Sequence, residues 1–188
     1  LLRGFTLVAF ASALEPLRLA NRISGKPLYS WKTMAEDGGE IVSSTGVPIR
    51  PDSGLEPLDR DTTIIVVGGK SVKLSITKPI LTWLRREARR GMTVGGICTG
   101  AEALAEAGLL EGRRATIHWD NRDSFAEEHP DIELSSSVFV IDGNRLTSAG
   151  GTSSTDLLLK RIGEAHGPDL ANAVADQMIH TSIRSDRD

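Results

Sequence analysis

The sequence has little cysteine, few aromatic residues and no long apolar segment. Its 188 residues include one Cys, one Tyr, three Trp and four Phe. A single cysteine cannot form an internal disulfide, which excludes a disulfide-rich secreted scaffold and favours a reducing compartment, so we expect a cytoplasmic protein. The longest apolar runs, such as Ile64 to Val67, have the length of strands. We therefore expect neither a membrane span nor a secretory signal peptide.

An excess of positive charge is also absent. The chain has 22 Lys and Arg against 25 Asp and Glu, a net charge of −3. Neutralising nucleic-acid phosphates requires a basic face, which argues against DNA binding by this segment. Arg85, Arg86, Arg89 and Arg90 form a local exception at helical spacing. Because Glu87 lies among them, we interpret this group as a solvated helix face.

Short apolar runs alternate with helical patterns along the chain. The predicted strand and helix pairs are Phe5 to Phe10 with Ala13 to Ile23, Ile64 to Val67 with Pro79 to Arg90, and Thr93 to Ile97 with Thr99 to Leu110. This alternation predicts an α/β fold, in which helices cover both faces of a mainly parallel sheet. The hydrophobic content of 39% is sufficient for one full core. Since a predicted strand lies so near Leu1, which is not a methionine, we expect native residues to precede it.

Turn and capping residues indicate the later elements. Asp142-Gly143-Asn144 separates the runs Val138 to Ile141 and Arg145 to Thr147, and it predicts a hairpin because Asp-Gly supplies the positive φ of a tight turn. The other predictions are a short strand from Arg114 that ends at His118, a helix from Thr155 to Ala165 with Ser153 or Ser154 as N-cap, and a last helix from Asp169 to about Thr181. The apolar face of that last helix would dock on the sheet or pair with a second subunit.

The only cysteine lies between an apolar strand and an alanine-rich helix. Gly96 and Gly100, two residues before and after Cys98, produce the pattern of a nucleophile elbow, a tight strand-to-helix turn that exposes the central side chain. The partial positive charge at a helix N-terminus favours the thiolate, so Cys98 would be a nucleophile, a redox centre or the floor of an anion site. The alternative is a small buried apolar residue. Packing alone, however, leaves the flanking glycines unexplained.

Ligands of parallel α/β sheets bind beyond the carboxyl ends of the strands, so the residues that follow each predicted strand are candidates. These residues are Glu15, Gly68-Gly69-Lys70, Cys98, and the loop Ala149 to Ser154. The loop opens a helix, and its N–H groups would receive a carboxylate or another anion. Its alternative interpretation is an ordinary capped helix start. His118 follows a further short strand and is either catalytic or structural.

In this order and spacing, the candidate residues resemble the ThiJ/PfpI group of the class I glutamine-amidotransferase-like fold. The similarity extends over nearly the whole chain through Glu15, Gly68-Gly69, the elbow at Cys98, His118, and Thr147 to Thr152. The resemblance implies a flavodoxin-like sheet with a nucleophile elbow. We predict no cofactor and no metal.

Three stretches are most similar to the N-terminal effector domains of AraC-type transcriptional regulators in the GlxA-like branch. They are Gly4 to Asn21, Gly96 to Leu110, and Gln177 to Asp188. The resemblance implies an effector-binding domain over residues 1–181, and over 182–188 the start of a linker to a C-terminal helix-turn-helix domain that the chain lacks. It also implies a homodimer that contacts DNA only through that missing domain.

The first functional hypothesis is therefore a sensor domain that binds a small cationic or zwitterionic metabolite, such as a quaternary amine or an amino acid, near Cys98. A carboxylate would be held by backbone donors of Gly69, Cys98, Gly151 and Thr152, and an ammonium by Glu15 and the face of Trp119. Thr99 and His118 complete the predicted ligand-binding set. No catalytic residue is expected under this hypothesis.

The second hypothesis is a ThiJ/PfpI-type hydrolase or glyoxalase-like enzyme. Cys98 would be the nucleophile, Glu15 and His118 the proton carriers, and the amides of Gly69 and Thr99 an oxyanion hole. The peptidases of the group place a histidine directly after the cysteine, whereas this chain has Thr99, which favours the sensor. A third hypothesis, a redox sensor, would have to use a sulfenic acid or an intermolecular bond, because no second cysteine is present.

Overall fold

Short β-branched and apolar runs form the strands, and segments rich in alanine and leucine form the helices. The structure, a computed structural model, describes residues 1–188. Its helices are α1 (Leu7–Ser24), α2 (Val72–Ser75), α3 (Lys78–Ala88), α4 (Gly100–Glu106), α5 (Arg122–Glu128), α6 (Ser153–His166) and α7 (Pro168–Gln177). Its strands are β1 (Ile41–Val42), β2 (Pro48–Ile49), β3 (Ile64–Val67), β4 (Val94–Ile97), β5 (Arg114–Ala115), β6 (Glu133–Leu134), β7 (Phe139–Asp142) and β8 (Arg145–Ser148).

Four strands form the central sheet in the order β3-β4-β8-β7. Strand β4 pairs in parallel with β3 and with β8, whereas β7 is antiparallel to β8. The predicted α/β fold with a mainly parallel sheet is confirmed, and so is the hairpin, whose turn has Gly143 at a φ of 57°. The carboxyl ends of the three parallel strands lie at one edge of the sheet. This edge brings together Gly68, Cys98 and Ala149, which directly follow those strands.

Helices cover both faces of the sheet because the side chains of each strand alternate between the faces. Ile64, Val66 and Val94 belong to a core that includes α3 and α4. Val67 and Ile97 belong to a second core, formed with α1 and α6. Helix α7 packs its apolar face on α1 and α6 rather than on the sheet. None of the helices combines the length and the hydropathy that a bilayer crossing requires.

The predicted first strand, Phe5 to Phe10, is wrong, because α1 already begins at Leu7. Only Phe5 makes a strand-like contact, an isolated bridge to Gly69. The run is apolar, as in a strand, but Ala9, Ala11 and Ala13 favour a helix, which packs against α6. Glu15 therefore lies inside α1, roughly 12 Å along the helix axis from its start, and not at the end of a strand.

The predicted strand that ends at His118 is shorter in the structure. Strand β5 stops at Ala115, because the next amide, that of Thr116, donates to the Thr147 hydroxyl at 2.9 Å instead of to a strand neighbour. The amide of His118 then donates to the carbonyl of Cys98 at 3.1 Å. His118 itself precedes a 3₁₀ turn over Trp119–Asn121.

The N-cap predicted for the helix after the glycine loop is also wrong. Helix α6 begins at Ser153, and its N-cap is Thr152, which makes no side-chain capping bond. The Ser153 hydroxyl donates to the Gly150 carbonyl at 2.6 Å. The Ser154 hydroxyl pairs with that of Ser148 at 3.0 Å. Both serines therefore hold the preceding turn and strand end instead of capping the helix.

Candidate functional site

The backbone at Cys98 has the geometry of a nucleophile elbow. Cys98 has a φ of 59°, a left-handed conformation that non-glycine residues seldom adopt. The turn is tight enough that a Cβ atom at Gly96 would lie 2.5 Å from the Ala101 nitrogen, and one at Gly100 would lie 2.1 Å from the Val66 carbonyl oxygen. The two glycines are thus required by close backbone approach, as their spacing around the cysteine predicts.

The Cys98 thiol is nevertheless buried, with 4% of the residue exposed. Its sulfur lies 3.4 Å from the Thr6 hydroxyl. The loop after β8 covers it from another side, since a Cβ atom at Gly150 would lie 3.1 Å from the sulfur. The Cys98 amide donates to the Ser148 carbonyl at 3.0 Å and is therefore not free to bind a ligand.

Burial determines the protonation state of this thiol. Desolvation raises the pKa of Cys98 above its ordinary value, and the nearby charge of Asp120 raises it further. Hydrogen bonds from the Thr6 hydroxyl and the Thr99 amide lower the pKa, but they do not offset the burial. The expected thiolate is therefore wrong.

Thr99 and Gly69 form a buried contact beside the elbow. The Thr99 hydroxyl donates to the Gly69 carbonyl at 2.7 Å, and Thr99 is 3% exposed. Gly69 also packs against the chain start, because a Cβ atom there would lie 2.0 Å from the Gly4 carbonyl oxygen. The Thr99 side chain thus joins the ends of β3 and β4. No side-chain hydrogen bond joins the Thr99 hydroxyl to the Cys98 thiol.

His118 reaches the elbow through its backbone and not through its ring. Its amide bonds to the Cys98 carbonyl, while its Nδ1 accepts a hydrogen bond from the Asp120 amide at 3.3 Å. A neutral imidazole that accepts at Nδ1 carries its proton on Nε2. The outer nitrogen is then a donor. No hydrogen bond joins the ring to the thiol, so the arrangement lacks the oriented base that a cysteine nucleophile needs.

Of the two residues predicted to hold an ammonium group, Trp119 is exposed and Glu15 is half-buried. The Glu15 carboxylate accepts from Arg18 Nε at 2.8 Å, and 44% of its side chain is exposed. Trp119 is 67% exposed. The polar side chain at the thiol is that of Thr6, and the acidic side chain whose charge acts on it is that of Asp120.

Sequence reasoning missed both Thr6 and Asp120. Thr6 lies near the start of the predicted strand Phe5 to Phe10, and its hydroxyl contacts Cys98, which is 92 positions away. No local sequence pattern predicts a contact between residues so far apart in the chain. Asp120 could have been found, because it follows His118 by two residues and is the first carboxylate after the strand end.

The loop Gly150-Gly151-Thr152 faces the elbow from β8. Gly150 and Gly151 have φ values of 92° and 57°. The amides of Gly69, Gly151 and Thr152 donate to no acceptor within the protein. Two of these amides, those of Gly151 and Thr152, directly precede α6, and a helix N-terminus favours anions. The Thr152 hydroxyl accepts from Arg184 at 2.8 Å, a contact that sequence spacing does not indicate.

A second cluster of titratable groups lies away from the elbow, between α4 and α5. Ligand atoms of Glu102, Glu128 and His129 lie within 4.8 Å of one another, an arrangement compatible with a metal ion. His129 Nε2 lies 2.8 Å from the Glu102 carboxylate, however, and the Lys73 ammonium pairs with Glu128. The cluster is thus satisfied by the protein's own charges.

The chain matches one family model and is similar to known transcriptional regulators. The family model described as "DJ-1/PfpI family" matches residues 13–164. The chain is 46% identical over 188 residues to the HTH-type transcriptional regulator CdhR of Pseudomonas aeruginosa, covering 100% of this chain and 56% of that protein. It is 42% identical over 188 residues to the HTH-type transcriptional regulator GbdR of the same species, covering 100% of this chain and 51% of that protein. The chain thus spans about half the length of these curated relatives.

A solved structure has the same architecture. The crystal structure of an AraC family transcriptional regulator from Pseudomonas putida matches with a TM-score of 0.84 and 27% identity, over 94% of this chain and 95% of that one. The similarity to this regulator structure confirms the flavodoxin-like fold that the sequence predicts for the chain.

Proposed function

The chain belongs to the DJ-1/PfpI family, and from that premise we propose that it is the effector-sensing domain of an AraC-type DNA-binding transcription regulator. Residues 1–181 would form the sensing domain, and residues 182–188 would begin the connection to a helix-turn-helix domain outside this chain. DNA would be contacted by that second domain. The net charge of −3 supports DNA binding by the second domain and not by this chain, because binding to phosphates requires a basic surface.

One observation carries the choice of sensor over enzyme: the elbow cysteine is buried, protonated and without a base. The raised pKa of Cys98 leaves little thiolate at neutral pH, and the thiolate is the reactive form. The His118 ring is turned to the Asp120 amide and, in its neutral form, offers a donor at Nε2. These features suit a site that binds a ligand by hydrogen bonds and returns it unchanged.

The donors at the site support a ligand with a carboxylate end. The free amides of Gly69, Gly151 and Thr152 would bind its oxygens, and His118 Nε2 would add a further donor. Cys98 would line the floor through its thiol, since its amide is already bonded. We propose that this carboxylate belongs to a small zwitterion, a quaternary amine or an amino acid.

The cationic end of the ligand needs an acidic or aromatic partner. We propose Asp120 and the face of Trp119 for this contact, with Glu15 as the alternative acidic partner. Asp120 is favoured because its carboxylate lies 3.8 Å from Nδ1 of His118, whose amide bonds to the Cys98 carbonyl, whereas Glu15 is paired with Arg18. Comparing Asp120→Asn with Glu15→Gln separates the two: the variant that loses affinity while keeping its melting temperature identifies the partner.

The effector class is tested by a thermal-shift screen with carnitine, glycine betaine, dimethylglycine, sarcosine and arginine. A ligand at a hundred times its Kd adds about 2.7 kcal/mol of stability, which is readily detected. We expect at least one of these zwitterions to raise the melting temperature. If none does, and methylglyoxal or an activated ester is consumed by the wild type but not by Cys98→Ala, the enzyme hypothesis replaces the sensor.

We further propose a cytoplasmic homodimer, as is implied by the resemblance to the regulators. The apolar face of α7 is used inside the protomer, against α1 and α6, and so does not supply the dimer surface. Sedimentation equilibrium tests the dimer: a single species at the monomer mass across micromolar concentrations would contradict it.

A further inference from the structure

A buried carboxylate lies at the start of α6, next to the candidate site. Asp156 is fully buried, and its two oxygens accept hydrogen bonds from residues that follow α7. His180 Nε2 and the Arg184 amide each lie 2.8 Å from Oδ1, and Arg184 Nε lies 2.8 Å from Oδ2. A buried charge without such partners would be strongly unfavourable, so these contacts fix the segment after α7 on the domain.

Arg184 also reaches the site loop. Its second terminal nitrogen donates to the Thr152 hydroxyl at 2.8 Å while pairing with Asp156 at 2.7 Å. Thr152 lies two residues after Gly150, which packs on Cys98. One guanidinium therefore joins the C-terminal segment to the loop that covers the thiol.

The rest of the C-terminal segment is held on the same side. A main-chain oxygen of Asp188 accepts a hydrogen bond from the Val138 amide at 2.9 Å, beside β7. Within the segment, the Ser185 hydroxyl donates to the Asp188 carboxylate at 2.9 Å. Residues 182–188 are thus hydrogen-bonded to the domain at Arg184 and Asp188, while every residue of the segment except Arg184 is exposed.

We propose that Asp156, His180 and Arg184 form a coupling element that links the site loop Gly150–Thr152 to the C-terminal segment 182–188. A role of this element in regulation rests on the proposed function, because only then would the segment lead to a DNA-binding domain. A carboxylate bound by the Gly151 and Thr152 amides places negative charge beside the Arg184 guanidinium. It therefore favours the conformation in which Arg184 bridges the loop and Asp156.

Thermodynamic linkage makes this coupling reciprocal. A ligand that stabilises the docked segment must bind more tightly when the segment is docked. Arg184 acts here through Thr152 and is a positioning residue, since it does not belong to the ligand-binding set. The coupling also exists without ligand, because the bridging contacts are intramolecular.

The test uses the ligand-free 188-residue chain and two probes at opposite ends of the element. Iodoacetamide alkylation of Cys98 reports on the loop, and hydrogen exchange of the Val138 amide, followed by NMR, reports on the docked segment. Arg184→Lys breaks the bridge from the segment side, and Thr152→Val breaks it from the loop side. Arg187→Lys, a change in the same segment, is the control for the first, since the Arg187 side chain makes no hydrogen bond.

We expect Arg184→Lys to accelerate Cys98 alkylation, and Thr152→Val to accelerate Val138 exchange, each by about fivefold or more. Thr155→Val is the control for the second variant. It removes a hydroxyl from the same helix end that bonds to the Ser12 carbonyl at 3.0 Å and not to the segment. This control lowers stability but leaves Val138 exchange at the wild-type rate after correction for global unfolding.

Unchanged alkylation in Arg184→Lys together with unchanged exchange in Thr152→Val overturns the coupling. Equal acceleration in the control variants also overturns it, because general loosening would then explain the effect. A failed effector screen has no bearing on either probe, so the two proposals fail separately.

Discussion

Cys98 combines a strained backbone with a buried, protonated side chain. The strain comes from its φ of 59°, and the protonation from desolvation that two hydrogen bonds do not offset. The glycine spacing around it was sufficient to predict the elbow, because those glycines are required by local backbone contacts. The protonation state was not predictable from sequence, since it depends on the distant Thr6 and on how deeply the loop after β8 covers the sulfur.

The first prediction at this scale concerns the pH dependence of Cys98. Because its folded pKa lies above the ordinary value, alkylation of the native protein should reach half its maximal rate at a higher pH than alkylation of the urea-unfolded chain. By linkage, stability associated with the neutral thiol is lost as the pH rises through the folded pKa, and Cys98→Ala should not show this loss. A native midpoint below that of the unfolded chain would contradict the assignment.

The second prediction concerns Thr6. Its hydroxyl lowers the pKa of the thiol by a hydrogen bond at 3.4 Å, so Thr6→Val should raise the alkylation midpoint further. Thr6→Ser keeps the hydroxyl and serves as the control, with a midpoint near that of the wild type. If the valine variant lowers the midpoint or leaves it unchanged, Thr6 does not stabilise the thiolate.

At the scale of elements, the site is an edge where three parallel strands end and loops meet. The hairpin and the strands around the elbow were predictable, because Asp-Gly and short apolar runs are local signals. Two strand predictions failed for tertiary reasons. Phe5 to Phe10 is apolar like a strand, but α1 begins within it at Leu7 and packs on α6. Strand β5 ends early because the Thr147 hydroxyl accepts a hydrogen bond from the next amide.

The prediction at this scale compares the two glycines of the loop after β8. Gly150→Ala introduces a Cβ atom 2.9 Å from the Cys98 Cβ at a φ of 92°, whereas Gly151→Ala meets nothing within 4 Å at a φ of 57°. The first change should cost about 2–4 kcal/mol in the free energy of unfolding and the second about 1 kcal/mol. Urea denaturation measures both, and equal costs would show that the loop does not pack on the elbow as described.

At the scale of the whole molecule, the C-terminal segment is hydrogen-bonded to the domain through Arg184 and Asp188. The sequence suggested a boundary at residue 181 because the residues beyond it are polar and charged. Composition alone could not show that Arg184 binds the buried Asp156, since that pairing joins residues 28 positions apart. The overall fold, by contrast, follows from the order of strands and helices, and the match over residues 13–164 agrees with it.

Truncation after Thr181 tests this boundary. It leaves Asp156 with His180 alone and should lower the free energy of unfolding by about 2–3 kcal/mol, a moderate value because 35% of the Arg184 side chain is exposed. Arg187→Lys in the full chain should change stability by less than about 0.5 kcal/mol. Equal stability of the truncated and full chains would remove the structural basis of the docked segment.

The central claim is that the elbow cysteine serves a binding site and not a catalytic one. The most direct measurement uses the zwitterion that gives the largest thermal shift, with the wild type and with Cys98→Ala. Calorimetry measures its binding, and proton NMR then shows whether the ligand is recovered unchanged. The account predicts saturable binding, recovery of the ligand unchanged in both cases, and an affinity that Asp120→Asn weakens. Conversion of the ligand by the wild type alone would contradict the account and assign Cys98 as a nucleophile.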